Sequence, residues 1–548
     1  MILKEKKEYS SYYIDKVMLK NFKALKGEQW FSLRDITLIT GANNSGKSSL
    51  IKGLQLISEA FSRSDFPYLD IKNGADELGN WDSMVNYECS DEAIGFGILL
   101  KGTENHPLLT LKFEFSYDNY INNYSFSQLE LCLDKNEPFL VFFTNEIYGK
   151  YIDYFDEDNP GEIRFIFNIE RLGDIANQNK EIRQFYEFLK YRFQKYWIGE
   201  LFPEEVYLSS GWIYKLDFNM VANELINDPY FNLALPDERD LLLFEKENKE
   251  QLDAYQIMIE ESGYRKFLDS FRDLAKIISM QLKVFSANNM EFVKADKLMH
   301  SRIIHNSPDS RFLNNIYQIQ LHEGIGKEWK DYYHYNPDNE QSNRFFDYGE
   351  YYQQFISKSL NIFKINGFLY IDDIENQGYV IRHITPERST NLADLGKGTS
   401  KIFNIIMKAA SLIFDEKRTT PEKDTRPWHY NKILFIEEPE AFLHPNWQAS
   451  LADFFVFAMK LHNVKFIIET HSEYLVRKLQ YLTAKGELKT GQTIIYYLSN
   501  PLLAAEDDKF KKEIFIQKTG QLTSEFGPGF YDEATRLMLG LFDDEAMN

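Results

Sequence analysis

The run Gly41-Ala42-Asn43-Asn44-Ser45-Gly46-Lys47-Ser48 sets two glycines, a lysine and a hydroxyl at a spacing that suits phosphate. The two glycines let the backbone turn successive N–H groups inward, and Lys47 can reach the outer phosphates of a nucleotide. The Ser48 hydroxyl is placed for the Mg2+ that accompanies such phosphates, and Ser49 opens the following helix, whose amino end adds partial positive charge. A second group of chemical side chains closes an apolar run: Lys432-Ile433-Leu434-Phe435-Ile436 leads into Glu437, Glu438, Pro439 and Glu440. Carboxylates at the end of a buried strand are costly unless a cation compensates them. Glu437 falls where a metal-water ligand belongs. Glu438, one step further and expected on the other face of the strand, can polarise an attacking water as general base. A third apolar run, 464–468, ends in Glu469-Thr470-His471-Ser472, and a histidine at that place can sense a terminal phosphate. A fourth segment, Asp394-Leu395-Gly396-Lys397-Gly398-Thr399-Ser400, precedes a helical stretch over 401–414. Gly396, Lys397, Gly398 and Thr399 there form a second candidate anion site, which nothing ties to the same phosphates in the same subunit. The alternative is a loop capped by Thr399 or Ser400.

Parallel strands must carry these groups. Residues 36–40 are a short β-branched run, a buried strand feeding the phosphate loop, and 49–60 hold apolar residues at helical spacing. Residues 14–25 read as an edge strand followed by a turn at Gly27. Pro445 is a natural first helical residue for a helix over 447–460. The alternation of strand and helix predicts an α/β fold. Between 109 and 169, short aromatic and β-branched runs predict an antiparallel lobe, and 174–197 and 238–284 read as helices without sustained heptads. Residues 329–346 and 415–431 read as loops. The layout expected is an N-terminal part of the catalytic head at 1–115, an inserted β lobe and helical region at 116–290, and a C-terminal part at 291–548.

The chain of 548 residues is too long for one ordinary core. Its 83 acidic against 62 basic residues give a net charge of −21, which argues against a general nucleic-acid coat and leaves room for a local basic groove or a basic protein partner. Two cysteines build neither a disulfide framework nor a zinc site, and no apolar run is long enough for a bilayer. A reducing cytoplasm, with no membrane association, is the expectation. The 44 Phe and 34 Tyr are better read as compositional drift than as base-stacking platforms.

Taken in this order, the phosphate loop, residues 394–400, the acids from Glu437 to Glu440, Leu443-His444-Pro445 and Glu469-Thr470-His471-Ser472 resemble the ABC-type ATPase heads shared by SMC proteins, Rad50, RecF and the OLD family. Asn21-Phe22-Lys23 and the ending Gly527-Pro528-Gly529-Phe530-Tyr531-Asp532-Glu533 look like bacterial AAA-type ATPases with a C-terminal DUF3696 region. The resemblance implies an ABC/SMC-like P-loop head that binds and hydrolyses ATP with Mg2+. It implies Glu438, His471 and Lys47 as catalytic, residues 394–400 as a signature acting on nucleotide held by an opposite subunit, and hence a homodimer or higher homo-oligomer. Lys397 departs from the pattern, where an apolar or small residue is commoner. The position of the Q-loop is left open; residues 78–81 are in about the right place but offer no glutamine. A narrower resemblance, to the ATPase subunit of Septu-type and retron-associated anti-phage systems, implies a separate HNH nuclease as partner and contact with nucleic acid through that complex. The stretch after His471 is too short for the Toprim nuclease domain of the OLD family, so intrinsic nuclease activity is not expected.

Overall fold

The computed structural model describes residues 12–62, 81–89, 93–102, 109–118, 123–133, 138–144, 163–168, 205–210, 290–295, 301–307, 310–322, 352–374, 377–385, 387–414, 432–499 and 510–527. The expected helices at 174–197 and 238–284, the loops at 329–346 and 415–431, and most of the 78–81 segment lie outside them. In chain order the elements begin with β1 (Tyr12–Phe22), β2 (Leu25–Ser32), β3 (Ile36–Gly41), α1 (Lys47–Ser62) and the single turn α2 (Trp81–Met84). Strands β4 (Ile94–Gly102), β5 (Leu109–Asp118), β6 (Asn123–Leu133), β7 (Pro138–Thr144), β8 (Ile163–Asn168) and β9 (Glu205–Ser210) follow. Then come β10 (Met290–Val293), β11 (Ile304–His305), α3 (Arg311–His322), α4 (Tyr352–Ile362), β12 (Phe368–Ile374), β13 (Gly378–Ile384), β14 (Ser389–Asn391) and α5 (Lys397–Ile413). The chain continues through β15 (Lys432–Glu437), α6 (Pro445–His462), β16 (Val464–Glu469), α7 (Glu473–Ala484), β17 (Thr493–Leu498) and β18 (Lys511–Phe515).

Two compact units divide these elements, one of Met1–Phe31 with Leu56–Ser286, the other of Ser32–Gln55 with Ala287–Asn548. The first is built on an eight-stranded sheet in the order β2-β1-β4-β5-β6-β7-β8-β9, antiparallel from β1 onward. Residues 14–25 were expected to form an edge strand; β1 instead lies between β2 and β4. The burial explains it: Val17, Met18 and Leu19 are all buried in succession, as suits an interior strand covered on both faces, whereas β2 carries the exposed positions of an edge. The turn sits at Lys23 rather than Gly27, with Asn21 and Lys23 both in the left-handed region, and Gly27 falls inside β2, donating its N–H to Asn21 Oδ1 at 2.9 Å.

The second unit holds a six-stranded sheet in the order β10-β15-β16-β3-β17-β18, parallel except for β18. Its central strands are continuous apolar runs: all six residues of β3 and of β17 are buried. That pattern requires cover on both faces, and helices α3, α4, α5, α6 and α7 contribute to one extensive core with the strands. Phe292 of β10 stacks on Phe435 of β15, with ring centroids 4.6 Å apart. A small antiparallel sheet of β11, β13, β12 and β14 completes the unit and leads into α5. Among the described residues no helix is long and apolar enough to cross a membrane.

Candidate active site

The parallel register brings three strand ends side by side. Glu437 at the end of β15 pairs with Glu469 at the end of β16, and Glu469 pairs with Ile39 of β3, two residues before Gly41. Open α/β sheets bind ligands outside the carboxyl ends of such strands. The phosphate loop leaves β3 through Gly41, whose φ of +140° no other residue adopts easily; a Cβ there would lie 2.1 Å from the Leu498 carbonyl oxygen. Ala42 N donates to that same carbonyl at 3.2 Å, fastening the loop to β17. Asn43 and Asn44 are exposed, Ser45 is fully buried, and α1 begins at Lys47.

Lys47 Nζ donates to the carbonyls of Gly41 at 3.1 Å and Ala42 at 2.6 Å, so the ammonium is held inside the ring of the loop. Burial pushes its pKa down, while the nearby Glu469 and Glu438 charges oppose that shift. Ser48 Oγ donates to Glu469 Oε1 at 2.9 Å. Glu469 is only 4% exposed and its Oε2 has no hydrogen-bond partner. Burial first, then the Glu437 charge, push its carboxyl up to about 7, with the Ser48 hydrogen bond and Lys47 working the other way.

Glu438 does not continue the strand onto its other face as expected. The backbone leaves β15 at Glu437, and Glu438 adopts φ +44° while its N–H extends the ladder to Glu469 O at 2.9 Å. Its charge is nevertheless felt at Lys47, Glu469 and His471. Glu437 Oε2 accepts from Ala295 N at 3.3 Å. His471 follows β16 on a loop fixed by Glu440, which accepts from His471 N at 2.5 Å and from Thr470 Oγ1 at 2.8 Å. Partial desolvation, then the Lys47 charge, hold His471 below its ordinary pKa, favouring the neutral ring. Ser472 caps α7 by accepting from Leu475 N.

The segment 394–400 is built differently from its expectation. Helix α5 starts at Lys397, four residues early, because Gly396 in extended geometry serves as its cap without a side-chain bond. Neither Thr399 nor Ser400 is the cap, and Ser400 Oγ is turned inward to the carbonyls of Leu392 and Gly396. Gly396 and Lys397 are exposed. Lys397 Nζ lies 5.2 Å from the centre of the Phe442 ring, and Gly398 sits so close to the Phe442 carbonyl oxygen that a Cβ would approach it to 2.7 Å. Phe442 itself is 60% exposed at φ +66°. One turn along α5, Lys401 is fully buried, donating from Nζ to Lys294 O at 3.0 Å and Glu437 O at 3.1 Å.

The structure thus brings Lys47, Ser48, Glu437, Glu438 and His471 to the carboxyl ends of neighbouring strands with the rest of residues 41–49, and sets Lys397 and Gly398 against the loop that follows β15, with Gly396 exposed as the helix cap and Thr399 in the first turn of α5. Sequence reasoning missed the parts of Glu469, Glu440 and Lys401. The first two carried a signal, since each is an acid at or within three residues of a parallel strand end; Lys401 carried none. The site fits a Mg2+-bound nucleoside triphosphate on two counts: a glycine cradle whose entry has no room for a Cβ, and two buried polar atoms, Ser45 Oγ and Glu469 Oε2, without partners. Among the described residues no three acidic, histidine or cysteine side chains form a metal cage by themselves. Mg2+ keeps several waters and relies on one or two side chains plus phosphate oxygens.

A family model described as the AAA ATPase domain matches residues 13–476. No curated protein matches the sequence. Similar solved structures include the Smc head domain with an extended coiled coil bound to the C-terminal domain of ScpA from Pyrococcus furiosus, at 12% identity and a TM-score of 0.33, covering 97% of this chain and 99% of that one. The Smc head domain with a coiled coil and joint from Pyrococcus yayanosii aligns at 11% identity and 0.33, covering 92% and 98%. The SMC head domain from Thermotoga maritima aligns at 10% identity and 0.31, covering 92% and 99%.

Proposed function

The chain belongs to the AAA ATPase domain family, and from that premise we propose that it hydrolyses ATP in a site completed by a second copy of itself. The observation that carries the hydrolytic part is the convergence of Lys47, Ser48, Glu438 and His471 at the carboxyl ends of β3, β15 and β16. Residues 41–48 cradle the phosphates with backbone N–H groups, and Lys47 trades its loop carbonyls for phosphate oxygens. Ser48 and Glu437 would hold Mg2+, which supplies charge neutralisation across the outer phosphates when bound. Glu438 takes the proton of the attacking water, and the neutral His471 offers an N–H to the terminal phosphate. Glu440 positions His471 by gripping its backbone.

The shared site rests on the exposed amino end of α5. Gly396 and Lys397 offer backbone N–H groups and a cation on a surface where a partner's phosphate can meet them. Replacing Glu438 by Gln tests both parts. Phosphate release should fall by about two orders of magnitude or more, and the ATP-loaded variant should be a stable dimer by light scattering. Wild-type turnover would remove Glu438 from the base role; an ATP-loaded monomer would remove the second copy.

We further read the protein as a cytoplasmic subunit of an anti-phage system that controls a separate HNH nuclease. This rests on the motif resemblance and on the ATP machinery. Purification together with the products of adjacent genes tests it, and the absence of any co-purifying nuclease would sink it. The competing DNA-repair role calls for salt-dependent DNA binding by the ATP-loaded form, against which the net charge of −21 weighs.

A further inference from the structure

The phosphate loop supplies the Ser48 hydroxyl for a metal, and Mg2+ is usually bound through one or two carboxylates besides phosphate oxygens and waters. Glu469 stands where such a ligand is needed. Its carboxylate already touches Ser48, with Oγ donating to Oε1 at 2.9 Å, and it is 4% exposed. Its other oxygen, Oε2, is buried without a hydrogen-bond partner. A buried carboxylate oxygen left unsatisfied is expensive, and a cation beside the Ser48 hydroxyl removes that cost. The backbone fixes the group firmly: β16 is flanked by β15 and β3, and Glu438 N and Thr470 N tie the strand ends together on either side, to Glu469 O at 2.9 Å and Ile39 O at 3.0 Å. Glu437, by contrast, has one oxygen accepting from the Ala295 backbone N–H.

From this geometry we propose that Glu469 is a direct ligand of the nucleotide-bound divalent cation, sharing it with Ser48, while Glu437 acts on the metal only through water. The inference rests on the ATPase reading of the same site. Both carboxylates at the strand ends would then serve the metal, leaving Glu438 as the carboxylate for the water.

The test is metal affinity, not turnover. Full-length protein carrying Glu469→Gln, Glu469→Asp or Glu437→Gln is loaded with ATP, and Mn2+ is titrated while free Mn2+ is followed by electron paramagnetic resonance; ATP binding is measured separately in EDTA. Glu469→Gln still accepts the Ser48 hydrogen bond, so ATP binding in EDTA should match wild type and certify the fold. Its Mn2+ affinity should fall about tenfold or more, with a smaller loss for Glu437→Gln. Glu469→Asp keeps the charge but withdraws it by one methylene, and should also weaken Mn2+; this variant decides the matter if the Gln form does not fold. Wild-type Mn2+ affinity in both Glu469 variants overturns the ligand role while leaving the ATPase reading intact. Failure of the wild-type protein to bind ATP at all overturns the reading and the inference together.

Discussion

At the amino end of α1, Lys47 and Ser48 are engaged by partners close at hand: the loop's own carbonyls for the lysine, Glu469 for the hydroxyl. At the amino end of α5, Gly396 caps the helix without a side-chain bond, a Cβ at Gly396 would meet nothing within 4 Å, and Lys397 rests on an exposed aromatic ring. The two segments share glycines, a lysine and hydroxyls, yet one is an enclosed, preorganised cradle and the other an open surface fastened from behind. What encloses the first is the row of strand ends beside it. What fastens the second is Gly398 against Phe442 and the buried Lys401 against Glu437. A helix start with such residues becomes a self-sufficient phosphate site only where neighbouring strands supply walls. Otherwise it is a surface that needs another molecule.

Breaking the enclosed side should have the larger effects. Lys47→Ala removes the ammonium held inside the cradle, and ATP hydrolysis measured by phosphate release should fall on the order of 10²–10³-fold; a variant that keeps wild-type turnover would mean the loop is not where phosphate is held. The next effect is on folding. Glu469 is raised from an ordinary 4.5 to about 7, so the folded protein keeps a proton that the unfolded chain releases. That contribution is fully present below about 4.5 and is lost as pH rises through about 7, which removes roughly 3 kcal/mol of stability. Denaturant melts of the metal-free protein should show this decline between those pH values, and Glu469→Gln should flatten it; an identical slope in the variant would assign the decline to other groups.

The open side should respond less, and unevenly. Gly398→Ala drives a methyl to within 2.7 Å of the Phe442 carbonyl oxygen and should cost about 1–3 kcal/mol in the same melts. Gly396→Ala, with free space around it, should stay within about 0.5 kcal/mol of wild type while testing any role in hydrolysis. Equal losses from the two substitutions would contradict the contrast between a fastened rear and an open front. Between these two, Phe442→Ala should lose about 0.5–1 kcal/mol with the Lys397 contact. A larger loss in the melts would mean that the exposed ring bears more than a cation.

Much of this was legible from residue order. The run from Gly41 to Ser48, the apolar strand into Glu437 and the strand before Thr470 each advertise themselves through local pattern, because a buried parallel strand is a continuous apolar run and a phosphate loop is a fixed spacing of glycines. The start of α6 was readable from Pro445 for a similar reason: its ring presets the first helical φ. Other features depended on tertiary structure. The interior place of β1 depends on which strand takes the edge, and that is decided by pairing with β4. The early start of α5 follows from the extended geometry of Gly396, and the departure of Glu438 from its strand from a left-handed φ; neither is written in residue type.

The sequence by itself determined that this protein has a phosphate loop, two acid-ended strands and a second glycine-rich helix start. Only the tertiary structure decided which of these share a site. Residues 421 positions apart, Ser48 and Glu469, meet because β16 pairs in register beside β3, and the same pairing buries the carboxylate that makes the meeting consequential. Strand order and register are properties of the folded sheet, set by how whole apolar faces are covered, and no local spacing encodes them.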